Sequence, residues 1–119
     1  MASMDERDSC DLLCLDLPKA EAARRRLPPA GDLELLASGA RALGDATRLS
    51  IALALREAGS ACVCDLGWIV GRDEKLVSHH ARLLKASGLA RSRRDGKMVM
   101  YELTERGHAL LDVVAEVQA

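Results

Sequence analysis

The 119-residue chain has no phenylalanine, 2 % aromatic residues and a formal net charge of −1. That length allows one domain, or one domain and a tail, and a domain near 100 residues buries only about 60–70 % of its unfolded surface, so pairing with a second copy would help it. No apolar run is long enough to span a membrane, and the start of the chain is polar and acidic rather than basic and then apolar, so the expectation is a cytoplasmic protein without a membrane partner.

Residues 1–31 read as a flexible arm. It carries Cys10 and Cys14, a charged run from Lys19 to Arg26 that can form a short helix with Pro18 in its first turn, and a closing Pro28-Pro29-Ala30-Gly31. Residues 32–119 read as the folded domain. Asp32 is an N-cap candidate, and Leu33, Leu36, Ala37, Ala40 and Leu43 follow at helical spacing up to Gly44. Asp45 caps a second helix that ends at about Ala58, before Gly59-Ser60. A third helix covers about Val63 to Val70, Gly71 turns the chain, and a fourth runs from about Glu74 to Ala86. Leu76, Leu83 and Leu84 are expected inside it, with Ser78, His79, Arg82 and Lys85 outside. Two short helices about a glycine turn form a helix-turn-helix. Leu89 to Arg94 and Met98 to Leu103 alternate as strands about Asp95-Gly96, a hairpin signal and so a wing. Thr104 caps a last helix with a stripe of Leu110, Leu111, Val114 and Val117. The predicted fold is mainly α with a small β-hairpin: a winged helix-turn-helix.

Charge is unevenly placed. From Arg72 to Lys97 there are eight Lys/Arg against three Asp/Glu, while the rest of the chain has nine against fifteen. A basic patch on an acidic protein is the footprint of a nucleic-acid reader, although charge alone describes a solvated surface equally well. In a helix-turn-helix the second helix enters the major groove. That exposes Lys75, Val77, Ser78, His79 and Arg82 as candidate DNA contacts, with Arg91, Arg93, Arg94 and Lys97 of the wing on phosphates or in the minor groove. His79 and His80 point about 100° apart on a helix, so one is expected to face DNA and the other to pack.

The four cysteines, Cys10, Cys14, Cys62 and Cys64, could supply a complete tetrahedral thiolate set for a soft ion. Cys62 and Cys64 can share an ion only where the helix has not yet begun, and a helix start also favours the thiolate. Four unrelated cysteines and a redox-active pair are the competing readings. His108, Asp112 and Glu116 share a face of the last helix and form a second candidate metal set, although such a face is more often plain surface. Trp68 reads as core or dimer packing. No catalytic constellation is found, and an enzyme or a metal scavenger built on these thiols lacks a pocket or a CxxC pair.

Taken together, Ala42-Leu43-Gly44-Asp45-Ala46-Thr47-Arg48-Leu49-Ser50-Ile51, Cys62-Val63-Cys64-Asp65-Leu66, Ser78-His79-His80-Ala81-Arg82-Leu83-Leu84 and the Gly88–Leu103 wing resemble the ArsR/SmtB family of metal-sensing repressors. The resemblance covers about residues 32–118. The two cysteine pairs are similar to the CadC-like cadmium- and lead-responsive branch. The resemblance implies a homodimer on a palindromic operator that releases DNA when cadmium, lead or a related soft ion (zinc, mercury, arsenite) binds Cys10, Cys14, Cys62 and Cys64, the first pair coming from one subunit's arm and the second from the other subunit. A redox-sensing repressor of the same fold is the nearest alternative. Relatives with a zinc site on the last helix carry Asp, His and Glu where this chain has Glu105, Gly107 or His108, and Gln118.

Overall fold

The computed structural model describes residues 15–116. The chain divides into two units, residues 1–30 and 31–119. In the first, helix α1 spans Leu17–Arg26: Asp16 caps it by accepting the Lys19 N–H at 3.3 Å, Pro18 sits in the first turn, and three arginines close the last turn, where cations offset the helix dipole. None of its residues is buried.

The second unit holds five helices and three strands. Helix α2 runs Ala30–Ala42, so it starts two residues before the expected cap, and Asp32 lies in its first turn. Helix α3 (Ala46–Ala58) begins at Asp45, whose carboxylate accepts the Arg48 N–H at 3.0 Å; that bond holds the Asp45 carboxyl below its ordinary pKa. The Arg48 side chain reaches back to donate to the Ala42 carbonyl at 3.0 Å, clasping the end of α2 to the start of α3.

Strand β1 (Ser60–Cys62) was not legible in the sequence, where Gly59-Ser60 reads only as a helix stop. It pairs antiparallel with the wing, Ser60 opposite Glu102, Ala61 opposite Tyr101 and Cys62 opposite Met100. Helix α4 (Val63–Val70) ends on Gly71, which adopts φ +70°. Helix α5 (Glu74–Ala86) starts at Asp73, whose carboxylate accepts from the Lys75 and Leu76 N–H groups. A methyl group on Gly67 would stand 3.0 Å from the Arg72 carbonyl, so the tight turn between α4 and α5 depends on glycine there as well.

Strands β2 (Ala90–Asp95) and β3 (Met98–Leu103) form the wing, and the sheet order is β1-β3-β2. Asp95 pairs with Met98, so the two-residue loop is Gly96-Lys97 rather than Asp95-Gly96. Only Gly96 has positive φ there, as a two-residue loop with glycine in its first position requires. Helix α6 (Glu105–Ala115) is capped by Thr104, which accepts from the Gly107 N–H and donates to the Gly88 carbonyl. A side chain at Gly107 would collide with the Leu89 carbonyl, so the wing base and α6 meet backbone to backbone.

Ile51, Leu55, Leu66, Val77, Leu84, Leu89 and Leu111 are fully buried at the centre, and no described charged or polar residue is buried with them. Each of these buried aliphatic side chains contributes about 1.5–3 kcal/mol to folding. Two expectations are corrected here. Val77, not Leu76, faces the core: Val77, Ala81 and Leu84 recur at helical spacing, which turns Leu76 outward to the surface. Of the two readings of Trp68, core or dimer packing, the core one falls: Trp68 is 86 % exposed on α4 beside the half-exposed Ile69.

Candidate DNA-reading surface and thiol site

Helix α5 presents Lys75, His79 and Arg82 to solvent, with Ser78 partly exposed. Arg82 donates to the Ser78 hydroxyl at 2.9 Å, one turn back along the helix, so the guanidinium is already aimed at the helix's outer face. Val77 is withdrawn from the set of candidate DNA contacts: it is completely buried, and no methyl of it can reach a base. The two histidines divide as expected. His79 is exposed, while the His80 side chain is 14 % exposed, with its ring edge-on to His79 at 5.3 Å. His80 Nδ1 lies 3.9 Å from the Asp45 carboxylate and has no hydrogen-bond partner. Burial pushes the His80 pKa down, Asp45 pulls the other way, and Arg48, His79 and Arg72 add to the lowering.

The wing arginines are held differently. Arg91 and Arg93 both face Glu102 on β3, at 3.4 and 3.9 Å, and Arg93 also approaches Asp95. Arg94 and Lys97 are exposed and take no acidic partner among the described residues. Lys85 at the end of α5 donates to Ser92 of β2 at 2.7 Å, tying the reading helix to the wing. Arg72, counted in the basic run but not among the individual candidate contacts, sits in the turn between α4 and α5 and donates to Thr47 of α3 at 3.4 Å.

Cys62 ends β1 with extended backbone and occupies the N-cap position of α4; Cys64 lies in the first turn, exposed, and both thiols are free. Sharing an ion was expected only where the helix has not yet begun; Cys62 lies there, whereas Cys64 is already the second residue of α4. The thiolate expected from the helix start is not found: Cys64 Sγ donates to Glu74 Oε1 at 3.3 Å, and that bond, with the carboxylate's negative charge, pushes the Cys64 pKa up. Glu74 is the first residue of α5, so this bond joins the thiol site to the start of the recognition helix. Cys10 and Cys14 lie outside the described residues. Asp112 of the second candidate set pairs with Arg56 at 3.5 Å, while His108 and Glu116 are exposed. Among the described residues no three His, Cys, Asp or Glu side chains form a closed metal-binding group, either on α6 or around Cys62 and Cys64. No described helix is long and apolar enough to cross a membrane.

Comparison with known proteins gives the same picture as the geometry. Residues 45–92 match the family model described as bacterial regulatory protein, arsR family. A cadmium resistance transcriptional regulatory protein CadC homolog of Staphylococcus aureus is 35 % identical over 83 % of this chain and 81 % of its own length. The arsenical resistance operon repressor of Escherichia coli is 45 % identical over 52 % of this chain and 53 % of its own. Among solved structures, a homodimeric winged helix-turn-helix DNA-binding domain from Mycobacterium bovis aligns with a TM-score of 0.69 at 28 % identity, covering 75 % of this chain and 82 % of that one. These relatives are DNA-binding regulators, and with a third or more of its residues shared along most of a CadC homolog, this chain belongs to the ArsR/SmtB family of winged helix-turn-helix transcriptional regulators.

Proposed function

We propose that this protein is a cytoplasmic, homodimeric repressor that binds a palindromic operator and releases it when a soft metal ion of the cadmium or lead type binds cysteine thiolates. One observation carries the reading: where β1 passes into α4, Cys64 stands exposed and Cys62 half-buried, both as free thiols, and Cys64 is bonded to the first residue of the recognition helix. The donors fit such an ion chemically, since sulfur ligands select soft ions over magnesium or manganese. Relatives named for cadmium and arsenical resistance support the same choice.

The reader comprises Lys75, Ser78, His79 and Arg82 on α5, with Arg91, Arg93, Arg94 and Lys97 on the wing. The join between two copies falls to the apolar side chains left exposed on α2 (Leu33, Leu35, Leu36) and α6 (Val113, Val114); apolar surface left exposed on a small domain suits an interface. Cys10 and Cys14 from the partner's arm complete the thiolate set. With ten residues wound into α1, the reach from Cys14 to residue 31 is about 40 Å, shorter than a fully extended chain but still of subunit dimensions. When bound, the ion links arm to reading head; sensors of this kind need a coupling of about 1–3 kcal/mol, or roughly 5–150-fold in DNA affinity, and DNA must weaken ion binding by the same factor.

The test is an anaerobic titration that follows thiolate absorption and operator anisotropy together. Ions of the cadmium type should raise the absorption and release DNA, and Cys62→Ser or Cys64→Ser should abolish both. A response to zinc that survives these changes and needs His108 would move the site to α6. A mixture of Cys10→Ser/Cys14→Ser chains with Cys62→Ser/Cys64→Ser chains should regain partial response through heterodimers; no recovery would place each site within one subunit.

A further inference from the structure

We propose that Glu74 is itself an ion ligand, supplying a carboxylate oxygen from the first turn of the recognition helix beside the Cys64 sulfur and, on a tetrahedral ion such as zinc or cadmium, standing in for one of the four thiolates. The inference rests on the thiolate reading above and deepens it: Glu74 becomes the residue through which ion binding is felt by α5. The geometry is already close. Cys64 Sγ and Glu74 Oε1 are 3.3 Å apart. A tetrahedral ion with sulfur at about 2.3 Å and carboxylate oxygen at about 2.0–2.2 Å needs the two atoms about 3.6 Å apart, so the pair has to open by only a few tenths of an ångström.

Both side chains are exposed, so the opening meets no packed core. Coordination replaces the thiol proton, which leaves to solvent. Without an ion between them, the sulfur and the carboxylate would then be two anions at hydrogen-bond distance; with Glu74 as ligand, the positive ion takes the proton's place in the bridge. Cys62 occupies the N-cap of α4, two residues before Cys64, so both thiols stand at the same helix start.

The arrangement also makes a chemical selection. A carboxylate oxygen suits zinc and, less strongly, cadmium, while the softest ions are satisfied by thiolates alone. Because Glu74 starts α5, drawing its carboxylate onto an ion at Cys64 pulls on the end of the helix that enters the groove, whereas thiols confined to β1 and α4 would have no such handle.

The experiment compares the full-length protein with Glu74→Gln, which keeps the side chain's size and exposure. Zinc, cadmium and mercuric ions are each titrated alone, anaerobically, against a competing chelator, with thiolate absorption and Trp68 emission as readouts; Trp68 is the only tryptophan, exposed one helical turn from Cys64. The thermal midpoint and metal-free operator affinity report folding. The expected result is zinc and cadmium affinities lowered tenfold or more, mercuric affinity changed less than threefold, and thiolate absorption at saturation unchanged. Loss of zinc and cadmium affinity that exceeds any mercuric loss by less than threefold overturns the ligand role, whether all three ions are unaffected or all three fall together. A wild-type protein with no thiolate absorption at all sinks the thiolate reading and this inference with it. A normal band combined with no selective loss sinks Glu74 alone.

Discussion

The recognition helix α5 and the wing carry the same sign of charge and are built in opposite ways. Helix α5 is anchored along its length by Val77, Ala81 and Leu84, all fully buried, and its outward side chains start from a fixed backbone. The wing is anchored only at its base, by Ala90, Tyr101 and Leu103; toward the tip, Arg93 to Val99 are exposed without exception. On α5 the one arginine is braced by a neutral hydroxyl, whereas two of the wing's three arginines lean on Glu102. A rigid helix can place a guanidinium on one base edge. A ribbon with an exposed tip and partly neutralised arginines suits phosphates, where position matters less.

The largest effect should come from breaking the anchor. Leu84→Ala removes a fully buried side chain under α5 and should cost about 2–5 kcal/mol of stability, measured by denaturant unfolding, with operator binding lost as a consequence. A loss below about 1 kcal/mol would mean that α5 is not held as tightly as the contrast with the wing requires.

Next in size is the contrast itself. Arg82→Ala should lose about 1–3 kcal/mol of specific operator affinity at fixed salt and relax preference at one base position, while remaining folded. Arg94→Ala should weaken specific and nonspecific DNA about equally and lower the salt slope by about 1. If Arg94→Ala changed sequence preference and Arg82→Ala did not, the roles assigned to helix and wing would be reversed.

How much of this was legible beforehand follows from the type of signal. Helices α4 and α5 were readable to the residue, because Gly71 marks a turn whose chemistry is local; the Asp73 cap went unread. Which face of α5 points inward was half readable: Leu84 fits either assignment, and choosing Leu76 over Val77 turned the first turn of the helix by one position. Strand β1 escaped because three residues are too short for an alternation and their pairing with β3 lies some forty positions away in sequence. The same distance argument explains the thiol site. Cys62 and Cys64 were visible as a pair, but Glu74 was read only as the start of a helix, because its bond to Cys64 exists only once α4 and α5 have folded against each other.

The smallest effect tests the floor beneath α5. His80 sits on the inner side of that helix with its Nδ1 buried and unbonded, facing Asp45 at the cap of α3, with Arg48, His79 and Arg72 as the other charged or titratable groups acting on it. Burial is the leading cause of its lowered pKa, so the folded state prefers the neutral ring. The unfolded chain, with an ordinary histidine near pH 6.5, takes up the proton first as pH falls. Stability from His80 is therefore fully present above about pH 6.5, declines as pH drops toward the lower folded value, and levels off below it. The wing contains no histidine and so has no counterpart to this sensitivity. His80→Gln should flatten the decline in denaturant midpoint below about pH 6.5 relative to the wild-type protein, and should do so more than His79→Gln. If His79→Gln flattened the profile and His80→Gln did not, the inward and outward faces of α5 would be exchanged, and the assignment of Ser78, His79 and Arg82 to the DNA side would fall with it.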